Sequence, residues 1–201
     1  MRLGLYYDLR NPGGARSWAR VYAAALDRIG WADGAGIGAI WVTEHHGFAD
    51  GYLPAPLTFC AAIAARTHRA RIGTAVVVSP LIPPAALAEQ AAVVDILSDG
   101  RLELGLGAGW RAGEFAAFGA DYARRYEALE HAVRSRNSFE GSPAPGFAAR
   151  SIAAVCRARS AASSGSGVRS GRRSCSRSST CWSSCSGSSF MSSSSDPARR
   201  G

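Results

Sequence analysis

No stretch of this 201-residue chain approaches the ~20 consecutive apolar residues a membrane-spanning helix needs, and Met1 to Tyr7 is too short and wrongly flanked for a signal peptide. These absences read as a cytoplasmic protein with no membrane partner. Thiols stay reduced there, so the four cysteines after position 141 are not evidence for a disulfide framework. No two of them form a C-x-x-C pair, which leaves a zinc site unsupported. Lysine is missing altogether, and since its codons contain only A, or A and G, the gene is read as very GC-rich. Acids are scarce in one region only. Residues 1–140 hold 14 arginines against 14 acids, whereas residues 141–201 hold 9 arginines against Asp196 alone, so the formal charge of +8 belongs entirely to the last part. Length is also wanting, because a complete (β/α)₈ barrel typically takes ~250 residues.

What is present is organised around Ala39-Ile40-Trp41-Val42-Thr43-Glu44-His45-His46, a short apolar run that stops at a carboxylate and two imidazoles. Ile40 to Thr43 reads as a strand buried on both faces, as in a parallel sheet covered by helices. Further strands are read at Leu3–Tyr7, Arg71–Val78 and Arg101–Leu106. Between them lie helices from Ser17 as N-cap (apolar Val21, Ala25, Ile29, Ala32), from Pro56 to Thr67, and from Ala85 to Leu97 (stripe Leu87, Ala91, Val94, Leu97). A short helical piece up to Phe118 and a helix over about 123–133 follow. Strand starts recur about every 30 to 35 residues, enough for right-handed βα crossovers that leave every strand parallel. The fold class is therefore α/β, the first half of a TIM-type (β/α)₈ barrel. Chemistry is expected at the carboxyl ends of its strands, where Asp8, the Glu44-His45-His46 cluster, Ser79 and the segment Gly107 to Glu114 gather.

Each motif has a plain reading beside the chemical one. Glu44-His45-His46 is either a solvated strand end or a site. One metal ion is a poor fit for all three, because adjacent residues of an extended segment point to opposite sides. His68 and His131 read as structural. Gly105-x-Gly107-x-Gly109 lacks the third-glycine spacing and the later acid of a dinucleotide fingerprint. Its glycines still let backbone approach a flat or phosphorylated ligand, which Glu114 and Trp110 would orient, although Trp110 reads equally well as loop packing.

Taken together, Trp41-x-x-Glu44-His45-His46, Arg71-Ile72-Gly73-Thr74 with Pro80 and Pro84, Asp95-x-x-Ser98-Asp99-Gly100-Arg101-Leu102 leading into the glycine run, and Glu114-Phe115 with Phe118-Gly119 resemble the flavin-dependent luciferase-like monooxygenases over about residues 1–133. The resemblance implies a TIM-type barrel that binds reduced flavin mononucleotide, or in sister groups a reduced deazaflavin, supplied by a separate flavin reductase for oxidation of a small organic substrate. It makes His45 the catalytic histidine. It places Ala75-Val76, which in the family is joined by a non-prolyl cis peptide, under the flavin ring, with Thr74, Gly107, Gly109 and Glu114 as the other cofactor-binding positions. Ala108 stands where luciferase has a flavin-contacting arginine, so flavin mononucleotide and deazaflavin both stay open. An imidazole titrating near neutrality can move the proton that accompanies attack on a carbonyl, the role given to His45, with Glu44 orienting it or holding the loop. A dry mouth is expected from Trp41, Val77, Leu106 and Phe115, and an uncovered inner wall from Leu3, Leu5, Val76, Val78, Leu104 and Leu106.

The chain is divided into a partial barrel, 1–138, and a Ser/Arg-rich tail, 139–201. Serine occurs 5 times before position 141 and 20 times after it, without apolar periodicity. One reading is a disordered basic segment that binds RNA phosphates. The preferred one is a frameshift between about Val133 and Phe139. In a GC-rich gene, Val, Leu, Ile and Phe codons ending in TC and followed by G become the serine codon TCG when the frame advances one base. On that reading the chain is a truncated, inactive enzyme that dimerises through open sheet edges, and nucleic acid is not its partner.

Overall fold

The computed structural model describes residues 3–135 and the backbone of the strand Ile152–Val155. The chain order is β1 (Gly4–Tyr7), α1 (Trp18–Gly34), β2 (Ala39–Val42), α2 (Pro56–Ala64), β3 (Arg71–Thr74), β4 (Val77–Val78), α3 (Pro84–Leu97), β5 (Leu102–Gly107), α4 (Ala112–Phe118), α5 (Arg125–Ser135) and β6 (Ile152–Val155). All paired strands are parallel. β1, β2, β3 and β5 lie side by side, β4 resumes the pairing with β5 beyond β3, and β6 pairs with β5 along Leu104–Gly107. The expected α/β architecture is present. The expectations for residues 139–201 fall outside the described residues, apart from Ile152–Val155, a strand that the reading of the sequence did not propose. No helix of the described residues is long and apolar enough to cross a membrane.

Register sorts the side chains into two faces. Leu5, Ile40, Ile72 and Leu102 are laterally aligned, and the last three are almost completely buried against the helices, beside Ala25, Ile29, Leu57, Ile63 and Val94. Tyr6, Trp41, Gly73 and Glu103 form the next row, on the opposite face. The expected inner wall needs correction here. Leu104 and Leu106 belong to the helix-side core together with Val77, and Leu5 shares its face with Ile40. With a side-chain period of two, an apolar residue every second position marks the helix side, and the Glu103, Gly105, Gly107 positions between them face inward. Val78 packs with Leu81 and Phe115 in a separate small cluster. Of the six residues proposed for the inner wall, two keep that place: Val76 lies over Gly105 and Gly107, and Val78, the register partner of Gly107, stands against Gly109. Leu97, the proposed end of the α3 stripe, is 56% exposed because it lies well off the line of Leu87, Ala91 and Val94 around the helix.

The segment read as one strand, Arg71–Val78, is two. Pairing of β3 with β5 stops at Gly73 opposite Glu103 and resumes in β4 with Val77 opposite Leu106. Between them the Ala75–Val76 peptide bond is cis. The Thr74 hydroxyl closes the gap, donating to Gly105 O and accepting from Gly105 N–H, each at 2.9 Å. A Cβ at Gly105 would stand 2.2 Å from Thr74 O, a backbone atom that cannot swing aside. Gly105→Ala is therefore expected to destabilise the chain by about 1–3 kcal/mol, read as a lower urea midpoint. An unchanged midpoint would show that the seam between β3 and β5 is not held this tightly.

At the opposite, N-terminal end of the strands the Asp95 to Leu102 motif proves to be a helix-to-strand joint. Ser98 Oγ donates to Asp95 O and accepts from Arg101 N–H, and Asp99 and Gly100 both have φ in the left-handed region. The Arg101 guanidinium donates to Ser98 O, Thr67 Oγ1, Thr67 O, Ala70 O and Ala64 O, tying this joint to the end of α2. Asp33 at the end of α1 accepts the backbone N–H groups of His68, Arg69 and Ala70 at 2.7–3.1 Å. Burial alone would push its carboxyl pKa up, but those three donors and Arg101 outweigh it and hold the pKa below the usual carboxylate value.

Candidate active site

β2 delivers the site. Beyond Val42 the chain leaves the sheet: Thr43 N–H still donates to Tyr7 O, but His45 N–H turns to Leu53 O in the following loop. Glu44, 4% exposed, and Glu114, 2% exposed, are both buried, and each holds one imidazole. Glu114 lies in the first turn of α4, so its carboxylate points back toward the β2 end. Its Oε1 accepts the His46 backbone N–H at 3.0 Å and stands 2.9 Å from His45 Nδ1. Glu44 Oε1 stands 2.8 Å from His46 Nε2, and its Oε2 accepts the Val78 N–H at 2.7 Å.

Because a carboxylate accepts, the nitrogen facing it carries the proton. In its neutral form His45 thus carries its proton on Nδ1 and leaves Nε2 bare, and His46 the reverse. Nothing among the described residues bonds His45 Nε2, and the side chain is 20% exposed. Around it stand Tyr52, Phe48 and Trp110, with ring centroids 4.8, 5.3 and 5.9 Å from the imidazole. His46 packs on Phe118 at 4.5 Å. The Arg111 guanidinium lies over Phe48 at 4.4 Å, donates to His46 O at 2.7 Å and stands 3.9 Å from Glu114 Oε1. An imidazole with one fixed N–H, one bare nitrogen and an apolar surround can accept a proton from a bound molecule.

A family model described as luciferase-like monooxygenase matches residues 1–139. The chain belongs to the luciferase-like monooxygenase family. It is 34% identical over 109 residues to the oxygenase component of flavin-dependent trigonelline monooxygenase from Acinetobacter baylyi, covering 54% of this chain and 30% of that protein. It is 33% identical over 113 residues to F420-dependent glucose-6-phosphate dehydrogenase from Amycolatopsis mediterranei, covering 54% of this chain and 33% of that one. The crystal structure of monooxygenase RslO1 from Streptomyces bottropensis superposes with a TM-score of 0.64 at 30% identity, over 69% of this chain and 43% of that chain. The chain therefore spans less than half the length of each of these family members.

The structure brings His45, Glu44 and Glu114 together. Glu44 does not touch His45; it holds His46 and β4, the loop-holding alternative, and Glu114 is the residue that orients His45. Ala75 and Val76 are partly exposed, and a Cβ at Gly107 would meet Val76 Cγ2 at 2.5 Å. Gly107 and Gly105 thus leave room for Val76, while a Cβ at Gly109 would meet Val78 at 2.7 Å and Phe115 at 2.9 Å. The Thr74 hydroxyl is directed to Gly105. Of the expected dry lining, Val77, Leu106 and Phe115 are buried in the cores, and Trp41 alone lies on the inner face, its ring filling the space a Gly73 side chain would occupy. Phe48, Tyr52 and Arg111 escaped the reading of the sequence. The only local signal was the Arg111/Glu114 spacing of three on a short helix.

Proposed function

We propose that the family's catalytic half-site is built on residues 1–138, for a monooxygenase that uses reduced flavin mononucleotide and dioxygen on a small organic substrate. The reading is carried by one observation, the bare Nε2 of a histidine whose other nitrogen is locked by a buried carboxylate. The inner face suits a flat ring: the partly exposed Ala75-Val76 ledge and the Trp41 ring border it. Glu114 Oε2 is buried without a hydrogen-bond partner among the described residues. A reduced flavin, when bound, supplies the electrons that activate dioxygen. His45 Nε2 takes the substrate-side proton, Glu114 keeps it on the correct tautomer, and Phe48, Tyr52 and Trp110 exclude water around it. Thr74, bonded to Gly105, and Gly107 shape the ledge from behind, and Gly109 leaves room for Val78 and Phe115 beside it. A separate reductase, as the name "oxygenase component" of the trigonelline relative describes, delivers the reduced cofactor.

A deazaflavin reading has one observation in its favour, the uncharged Ala108 in a chain that is also similar to an F420-dependent dehydrogenase. The two part in a single assay. The chain with its frame restored between about Val133 and Phe139 is supplied with substrate and either reduced cofactor, with and without air, and substrate conversion is followed against a control without protein. Oxygen-dependent oxidation of the substrate with flavin mononucleotide is expected; substrate reduction by reduced deazaflavin in the absence of oxygen would replace the proposal by the alternative.

The 201-residue chain as encoded is expected to show neither activity. Among the described residues the outer edge of β1 has no neighbouring strand, and an unpaired edge invites self-association. Size-exclusion and flavin-fluorescence measurements are expected to give self-associated protein without binding at micromolar reduced flavin mononucleotide. A monomer that unfolds cooperatively and binds the cofactor would sink the half-site reading.

A further inference from the structure

We infer that Glu44 and His46 are positioning residues that set the Ala75-Val76 ledge against the catalytic imidazole. The reason lies in the sheet. Ala75 N–H still finds a strand carbonyl, Val42 O at 2.7 Å, but β2 ends there and its chain turns away to Leu53. On the β2 side of β4 no strand remains to accept the Val78 N–H, which is buried. The Glu44 carboxylate substitutes for the missing carbonyl at 2.7 Å. Its second oxygen is taken by His46 Nε2–H, so the carboxylate cannot rotate away.

The same histidine continues the connection. His46 N–H donates to Glu114 Oε1, the oxygen that holds His45 Nδ1–H. A run of polar contacts therefore leads from β4 through Glu44, His46 and Glu114 to His45. Each of the two carboxylates grips one imidazole and one backbone N–H. This leaves the division of labour unambiguous: His45 keeps a free nitrogen beside Tyr52 and Trp110, while His46 is spent on Glu44 and packs on Phe118. That the ledge seats a cofactor rests on the proposed function; the positioning itself does not, and it is readable in the 201-residue chain with no cofactor added.

The test uses ¹⁵N-labelled full chain. In wild type, Val78 exchanges its amide slowly and the His46 ¹⁵N shifts report an Nε2–H tautomer. In Glu44→Ala, Val78 exchange accelerates by about 10- to 100-fold, since nothing else among the described residues accepts that N–H. Glu44→Gln separates positioning from mere filling of space. Val78 N–H can only donate, so the Gln carbonyl must face it and the amide NH₂ must face His46. Val78 exchange then stays within a few-fold of wild type, while His46 switches to the Nδ1–H tautomer and accepts at Nε2. Exchange at Val78 within two-fold of wild type in Glu44→Ala, or an unchanged His46 tautomer in Glu44→Gln, would overturn the inference. Should the alanine variant fail to fold, the tautomer switch in the glutamine variant decides alone.

Discussion

In the frame-restored chain, His45→Ala is expected to lower turnover by about 10²- to 10⁴-fold while flavin affinity stays within a few-fold of wild type. On the proposed mechanism the imidazole acts on a proton in the transition state, and it shares no described contact with the Ala75-Val76 ledge. Two comparisons sharpen the result. Glu114→Gln removes the acceptor that fixes Nδ1–H and is expected to cost about 10- to 10²-fold, because a fraction of the imidazole then presents the wrong nitrogen. His46→Ala is milder on the chemical step, since its ring is committed to Glu44. Steady-state rates beside equilibrium flavin titrations make the check, and wild-type turnover in the alanine variant would remove His45 from the mechanism.

The largest stability effect is expected far from the site, at Asp33. Asp33→Ala leaves the N–H groups of His68, Arg69 and Ala70 without their acceptor and is expected to destabilise the fold by about 2–4 kcal/mol at neutral pH, with most of the loss from the buried Ala70 N–H. The sign of its pH dependence follows from the lowered pKa. A carboxyl whose folded pKa lies below its unfolded value contributes stability that is complete above the unfolded value, near ~4, and is lost as pH falls through the lower folded pKa. Wild type therefore loses this contribution only below about pH 4, and Asp33→Asn, which cannot titrate, lacks that part of the acid slope. Urea midpoints of the three proteins between about pH 3 and pH 7 measure it. Parallel curves would show that Asp33 titrates alike in the folded and unfolded chain.

As read from the sequence, Ser17 is the N-cap of α1, with Arg20 N–H on its hydroxyl, and Pro56 opens α2, because these are local decisions of capping and φ. The βα spacing, and with it the parallel order and the gathering of Glu44, His45, His46 and Glu114 at the carboxyl ends, was likewise legible, as was family membership from separated motif blocks. What failed was whatever depends on a neighbour. A run such as Leu102-Glu103-Leu104-Gly105-Leu106-Gly107 alternates visibly, but which parity faces the helices is set by the lateral row Ile40, Ile72, Leu102 and the helices above it.

The chemistry available, and the end of the sheet at which it collects, are therefore written along the chain, because composition, capping and crossover length act locally. The pairing of acid with imidazole is settled in three dimensions. Glu44 lies next to His45 in the chain yet reaches His46 and Val78, and His45 is held by Glu114 from 69 positions away. Side-chain direction at a strand end depends on where the backbone turns, and here it turns because Leu53 O, from the next loop, captures His45 N–H. Hydrogen-bond partners across strands are chosen by distance in space, and the order of residues carries no record of that distance.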